Sequence, residues 1–154
     1  MIASQRLGRV ASNIPLPGER HVDATTPTTG HVMVDFGDDA LTRGRPHPMI
    51  DPSLRLSRLE IEAADPAVGV ILLDVVLGHA AHHDPAAEVA PVVGSALAAR
   101  PELTVVVSLV GSRRDPQDLN RQASMLHRAG AHVFTSNAHA ARFATSIVTR
   151  EPAR

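Results

Sequence analysis

The chain has 154 residues, a formal net charge of -1 at pH 7 and no Cys. Its length and its 44% hydrophobic content suffice for one ordinary core. The near-neutral charge argues against a general attraction to nucleic acid or to an anionic membrane. The lack of Cys excludes disulfides, a thiolate nucleophile and Cys-based metal sites. Because neither a signal core nor a membrane-spanning apolar run is visible, we expect a cytoplasmic protein.

Residues 1–30 are rich in Pro and Gly and have little periodicity, which predicts an extended arm that needs a surface to lie on. We expect residues 31–150 to form one domain. The predicted elements in this domain are, in chain order, a strand at 31–36, helix at 53–64, strand at 68–76, helix at 86–99, strand at 103–110, helix from Asp115-Pro116 to Ala129-Gly130, strand at 131–136 and helix at 138–149.

Two of these elements carry further expectations. The run VGVILLDVV (68–76) is rich in β-branched and other aliphatic residues, which is typical of a strand buried on both faces, so we expect it to be central in the sheet. Pro91 lies within the predicted helix at 86–99 and should bend or restart it. Strands that alternate with helices predict a parallel sheet, and the loops that leave the carboxyl ends of its strands meet at one edge, where ligands bind.

The loop at 37–52 is long for a connection in a compact domain, which favours a functional role. Asp38 and Asp39 directly follow the first strand and could perform acid–base work or hold a cation, or could form an ordinary turn or helix cap.

Within the same loop, the string TRGRPHPMID presents Arg and His on a backbone restricted by Pro46 and Pro48, while Gly44 permits an unusual turn. Arg43 and Arg45 could hold a carboxylate or phosphate, and His47 could transfer a proton near neutral pH. The alternative is a structural loop. For Asp51 in this string we expect a helix cap.

The loop after the second strand contains His79, His82, His83 and Asp84. We predict no metal site here, because adjacent His82 and His83 cannot easily face one ion and no further ligand pair follows. Gly78 and His79 instead precede a predicted helix, whose free N–H groups attract an anion such as phosphate or a carboxylate.

The loop after the third strand, GSRRDP, places Arg113 and Arg114 at a helix start and at the same sheet edge, which favours contact with an anion or a partner. We expect Asp115 to cap that helix. Ser136 and Asn137 end the last strand, where they could hydrogen-bond a ligand or form an ordinary turn.

Three strings, VDFGDDALTRGRPHPMIDPSLR, VILLDVVLGHAAHHDPA and GSRRDPQ, resemble in this order the C-terminal region of FdrA-family proteins, over roughly residues 29–149. The resemblance implies a flavodoxin-like, three-layer parallel sheet related to succinyl-CoA ligase. It also implies an acyl-CoA-synthetase-like protein, some family members being implicated as a subunit of oxamate carbamoyltransferase, which interconverts oxalurate and phosphate with oxamate and carbamoyl phosphate. The string GHA resembles the phosphorylated histidine motif of the ligase, but it lies in an earlier loop, so phosphotransfer through His79 is a minor hypothesis.

Full members of that family are several times longer and have an N-terminal CoA-binding-like Rossmann region and a glycine-rich segment that contributes a central strand. The segment ASNIPL (11–16) is present here, so the resemblance implies the back half of a split protein whose front half is another polypeptide. We expect the missing strand to lie between 31–36 and 68–76, and unpaired edges to make the isolated chain oligomeric or poorly soluble.

Two hypotheses follow. In the first, the chain is a subunit that contributes an Arg- and His-rich loop edge to an acyl or carbamoyl transfer site, where Arg45 and Arg113 hold anionic groups and His47 manages protons. In the second, it is a binding or scaffold module that completes its partner's sheet, and its loops make protein contacts. CoA or a phosphorylated donor fits the first hypothesis, whereas the cofactor itself is left open.

Overall fold

A computed structural model describes residues 1–25 and 29–149 of the chain. The elements are α1 (Ile2–Leu7), β1 (Ala11–Ser12), β2 (Val32–Met33), α2 (Asp39–Thr42), α3 (Ser53–Ala64), β3 (Val70–Val76), α4 (Pro85–Ala99), β4 (Thr104–Val110), α5 (Leu119–Arg128), β5 (His132–Phe134) and α6 (Asn137–Val148).

The main sheet has three parallel strands in the order β3-β4-β5. Strands β3 and β4 are paired along their whole length, from Val70 opposite Thr104 to Val76 opposite Val110. Strand β5 pairs with Val106–Ser108 in the middle of β4. The central strand β4 is therefore the most deeply buried, and Val105, Val106, Val107 and Leu109 are fully inaccessible. The α/β fold with a parallel sheet is as predicted.

Helices cover both faces of this sheet, which gives three layers. Helices α3, α4 and α5 pack on one face, where Val75 of β3 and the adjacent Leu77 join Val105 and Val107 of β4 in the larger apolar cluster. Helix α6 lies on the other face, where Ala140 and Ala144 pack against Val106. Side chains of successive strand residues point to opposite faces, so the consecutive apolar residues Val105–Val107 of β4 suit a sheet covered on both sides.

The prediction that the strand at 68–76 is central is wrong within the described residues, because β3 lies at the edge of the three-stranded sheet. The first predicted strand, 31–36, is reduced to Val32–Met33 and pairs in parallel with β1 in a separate two-stranded sheet. No described strand joins β2 to β3.

The N-terminal arm is not extended throughout, because Ile2–Leu7 form helix α1. The arm does lie on a surface: α1 packs against α6 and β1 pairs with β2. The prediction treated 1–30 as lacking periodicity, and it missed a six-residue helix that depends on contact with α6. The part of the arm at 26–28 lies outside the described residues.

Two helix predictions also need correction. Pro91 lies inside α4, but the helix continues from Pro85 to Ala99 and does not restart at this residue. Helix α5 begins at Leu119 and not at Asp115-Pro116, because Asp118 is its N-cap and accepts hydrogen bonds from the Asn120 and Arg121 amides. Asp118 has a φ of 59°, an uncommon conformation for a non-glycine residue. Asp115 instead closes the preceding turn by accepting a hydrogen bond from the Ser112 amide.

Candidate functional site

Three loops at the carboxyl ends of the strands are joined by hydrogen bonds. The His82 amide donates to the Met49 carbonyl at 2.6 Å, which ties the β3–α4 loop to the loop that follows β2. Gln117, from the β4–α5 loop, accepts from the Gly78 amide and donates to the carbonyls of Gly78 and His82. The loops at 37–52, 77–84 and 111–118 therefore form one continuous rim. The last two leave the carboxyl ends of β3 and β4 in the main sheet, whereas the first follows β2 of the separate two-stranded sheet.

Gln122 of α5 holds the start of α4 from inside the protein. This side chain is fully buried; its Oε1 accepts from the Ala86 amide at 2.8 Å, and its Nε2 donates to Asp84 Oδ1 and to the Gln117 carbonyl. Arg121, one residue earlier, binds the same Asp84 carboxylate through both of its terminal nitrogens. The hydrogen bond from Arg121 is the largest cause that lowers the pKa of Asp84 to about 2, so this carboxylate is charged at neutral pH.

This network occupies the first amides of α4, the helix start that we expected to attract an anion. The Ala86 amide donates to Gln122, and the Ala87 amide donates to the Asp84 carbonyl. The Asp84 carboxylate also brings negative charge to this end of the helix. An anion bound near Gly78 and His79 would therefore have to be held by side chains or by loop amides rather than by these two helix amides. His79 itself is exposed.

His47 is held in a defined orientation by its own loop. Its Nδ1 accepts a hydrogen bond from the Met49 amide at 3.2 Å, so in the neutral ring the proton lies on Nε2. Nε2 faces Gly37: a Cβ atom at position 37 would lie only 2.7 Å from it. Gly44, with a φ of 77°, makes the predicted unusual turn. The ring is exposed.

The two predicted carboxylates after β2 have different environments. Asp38 is the N-cap of α2: its Oδ1 accepts from the Ala40 amide, and its Oδ2 accepts from Asn13 Nδ2 at 3.2 Å. Asn13 also exchanges two hydrogen bonds with the backbone of Asp35, so it ties the N-terminal arm to this loop. Asp39 is exposed on the first turn of α2. Asp38 is thus a helix cap, which was the alternative to acid–base work, while Asp39 is open to solvent.

The four predicted anion-binding arginines lie on two loops of the rim and are exposed: Arg43, Arg45, Arg113 and Arg114. Among the described residues, none of their guanidinium groups forms an ion pair or hydrogen bond. Arg45 is nonetheless close enough to Asp51 to lower the pKa of its carboxyl group. The hydrogen bond from the Ser53 amide is the main cause that lowers the pKa of Asp51, and the charges of Arg45 and His82 add to it. Asp51 thereby binds the first amide of α3, but the N-cap residue of this helix is Pro52 and not Asp51 as predicted.

The loop after β5 lies outside this rim as defined, and its two predicted residues have simpler roles. Ser136 is the N-cap of α6 and accepts from the His139 amide at 3.4 Å. Asn137 is exposed and begins the helix. His82 and His83 stack with ring centroids 4.4 Å apart. Within 1–25 and 29–149, no three His, Asp or Glu side chains gather in a way that could hold a metal ion. In the same ranges, every helix is too short or too polar to cross a lipid bilayer.

Sequence reasoning missed the residues that hold the rim together: Asn13, Gln117, Arg121 and Gln122. A signal for Gln122 was present, because it falls at apolar spacing between Leu119 and Leu126 on α5, where a polar side chain must find buried partners. No local pattern points to Gln117 or Asn13, since their partners are 22 to 39 residues away.

Comparison with known proteins agrees with this architecture. Residues 20–147 match the model of the CoA-ligase family. The chain is also 37% identical over 151 residues to YahF, an uncharacterized protein of Escherichia coli (strain K12). That alignment covers 96% of this chain but 28% of YahF, so the chain spans little more than a quarter of the length of this relative. The chain belongs to the CoA-ligase family, because the family model matches most of the chain. Its parallel sheet with helices on both faces agrees with this membership.

Proposed function

We propose that the chain is one subunit of an FdrA-like enzyme that transfers an acyl or carbamoyl group to or from a small carboxylate, with a phosphorylated or CoA donor. The observation that carries this proposal is the rim. It brings an oriented, exposed His47 and exposed arginines onto loops that are hydrogen-bonded to one another. Membership of the CoA-ligase family supports the acyl-transfer class of chemistry.

The charges of the rim suit such substrates. A small carboxylate and a phosphate or CoA donor are both anionic, and guanidinium groups bind carboxylate and phosphate oxygens through two parallel hydrogen bonds. Arg43 and Arg45 on one loop and Arg113 and Arg114 on another have no ion-pair partner among the described residues. Arg55, Arg58, Arg100 and Arg121, by contrast, are engaged in structural contacts. The exposed arginines of the rim are therefore free to bind substrate.

His47 is the proposed proton carrier. In the phosphorolysis of a carbamoylated amide such as oxalurate, a phosphate oxygen bonds to the carbamoyl carbon and the C–N bond breaks. The proton lost by phosphate must reach the departing nitrogen. For His47 to carry that proton at Nε2, the neutral ring must first give up the hydrogen bond from the Met49 amide and hold its own hydrogen on Nδ1. Nε2 then takes the proton from phosphate and delivers it to the departing nitrogen. Asp39, exposed on α2, is a second candidate for acid–base work.

The partner in this proposal is a polypeptide that corresponds to the rest of a YahF-like protein. The chain accounts for 28% of YahF, so a complete enzyme of that kind would need the remaining sequence from elsewhere. The test is to coexpress the chain with the polypeptide of the same genome that matches the rest of YahF, and to purify the complex. Turnover is measured as release of phosphate, CoA or carbamoyl phosphate with a panel of small carboxylates.

We expect His47→Ala and Arg45→Ala to reduce turnover by at least about tenfold while the complex still assembles. The matched controls are His127→Ala and Arg128→Ala, which remove the same side-chain types from the last turn of α5 and should leave turnover within about twofold. Full turnover in both rim variants would refute the catalytic assignment and favour the scaffold alternative, in which the same loops bind protein.

A further inference from the structure

Strand β3 leaves one side of its backbone unpaired. The Gly69 carbonyl accepts from the Thr104 amide and the Leu77 amide donates to the Val110 carbonyl, so the odd-numbered residues of this stretch direct their backbone groups to β4. The backbone groups of Val70, Leu72, Asp74 and Val76 point the other way. Among the described residues, only the Asp74 carbonyl has a partner on that side, the guanidinium of Arg55.

A groove runs along this unpaired edge and has room for one more strand. Its cavity has a volume of about 790 Å³ and is lined by all seven residues of β3 on one side and by Val32–Val34 around β2 on the other. Side chains of α3, including Leu56 and Leu59, line it from one layer, and those of α6, including Ile147, line it from the opposite layer. The groove is therefore open in the plane of the sheet and covered above and below.

We propose that this groove receives a β-strand from the partner polypeptide, which pairs with the backbone of Val70, Leu72, Asp74 and Val76. The identity of the partner rests on the proposed function, whereas the groove and its unpaired edge are established by the geometry alone. A strand that matches β3 has about seven residues and spans about 23 Å. Because both covering layers are largely apolar, its side chains must be apolar on both faces.

Two features favour a partner strand over a second copy of this chain. The β3 strand of a second copy has its own helices α3 and α6 on its two faces, and these would collide with the α3 and α6 that already wall the groove. The relative YahF, in turn, has most of its length outside the region that aligns with this chain, so a homologous protein carries further sequence from which such a strand could come.

The test is amide hydrogen exchange on the full chain, alone and in the coexpressed complex described above. We expect the amides of Val70, Leu72, Asp74 and Val76 to exchange at least about tenfold more slowly in the complex. The amides of Ile71, Leu73 and Val75, already bonded to β4, should change much less. A strand paired along this edge predicts this alternation, whereas a loop or helix that merely covers the groove does not.

A pair of variants adds an independent test. Leu72→Pro removes an N–H that points into the groove, and it leaves the β3–β4 hydrogen bonds in place because proline is tolerated at a sheet edge. Leu72→Ala also shortens the side chain but keeps that N–H. We expect the proline variant to lose binding to the partner by about tenfold or more relative to the alanine variant. Equal binding by the two variants, each folded by circular dichroism, would contradict strand pairing at this edge.

The outcomes separate this inference from the proposed function. A complex that turns over substrate while the four amides still exchange freely would overturn strand insertion and leave the function standing. Protected amides in a complex without turnover would support strand insertion and contradict the proposed function. Protection that appears in the chain alone and rises with its concentration would assign the groove to a second copy, and failure of the two chains to copurify would contradict both the partner and its strand.

Discussion

Arg121 binds Asp84 through two parallel hydrogen bonds, Nη1 to Oδ1 at 3.0 Å and Nη2 to Oδ2 at 2.6 Å. The pair joins α5 to the loop that begins α4, across 37 residues of sequence. Because Gln122 donates to the same carboxylate and also accepts from the Ala86 amide, these three side chains fix the β3–α4 loop against α5. The rim therefore depends on contacts that lie beneath it.

The first prediction concerns the pH dependence of stability at Asp84. Its pKa in the folded chain is lowered from 3.8 to about 2, so its contribution is complete above pH 4 and is lost as the pH falls towards 2. We expect Asp84→Asn to lower the free energy of unfolding by about 1–2 kcal/mol at pH 7, a value reduced from the full linkage because Arg121 is 49% exposed.

Urea unfolding at several pH values checks this expectation. The difference between the parent chain and Asp84→Asn should narrow between pH 4 and pH 2. The control is Asp39→Asn, an exposed acid on α2, which should have little effect at any pH. A constant difference for Asp84→Asn down to pH 2 would mean that the ion pair does not stabilise the fold.

The second prediction concerns the buried Gln122. Gln122→Leu retains the approximate size of the side chain but removes both of its polar atoms, which leaves the Ala86 amide and the Gln117 carbonyl without their partner. We expect a loss of about 2–4 kcal/mol in the free energy of unfolding. Asn120→Leu changes an exposed amide on the same helix and should stay within about 0.5 kcal/mol of the parent chain. Similar losses in the two variants, measured by urea denaturation, would contradict the role of Gln122.

The third prediction concerns Gly37 beneath His47. A Cβ atom in Gly37→Ala would lie 2.7 Å from His47 Nε2 and 3.1 Å from Asp35 Oδ1, so the imidazole must move. We expect a change in the NMR signals of the His47 ring and, in the complex, a fall in turnover of about tenfold. Gly69→Ala is the matched control, because its Cβ would meet nothing within 4 Å. An unchanged His47 ring in Gly37→Ala would show that the contact does not orient it.

The fourth prediction concerns two serines with opposite hydrogen-bonding states. The hydroxyl of Ser108, in the centre of β4, is buried and has no partner among the described residues, so Ser108→Ala should be neutral or stabilising by up to about 1 kcal/mol. The hydroxyl of Ser12 accepts from the Ile14 amide at 3.1 Å, so Ser12→Ala should cost about 0.5–1.5 kcal/mol. Thermal unfolding of both variants tests which substitution destabilises the chain more. A larger loss of stability in Ser108→Ala than in Ser12→Ala would contradict the prediction.

The sequence predicted the parts of the fold that depend on local pattern. The apolar runs around Val70–Val76 and Thr104–Val110 and the periodic segment at Ser53–Ala64 became elements close to their predicted bounds. Their alternation was enough to indicate a parallel sheet and a common loop edge, because crossover connections place the carboxyl ends of parallel strands together.

Other features were decided by tertiary contacts. Helix α1 forms against α6, and Asp118 rather than Asp115 begins α5. The edge position of β3 could not be read from its apolar run, since a strand with both faces covered has the same composition whether or not it has a neighbour on each side.

By itself, then, the sequence determined most of the strands and helices of the main sheet and that the loops after β3 and β4 share one edge of it. Only the tertiary structure decided how those loops are held, through Gln117, Gln122 and the Asp84–Arg121 pair, and where the sheet is left open. The physical reason is range: periodicity reports contacts within a few residues, whereas a buried amide or an unpaired strand edge is defined by partners tens of residues away.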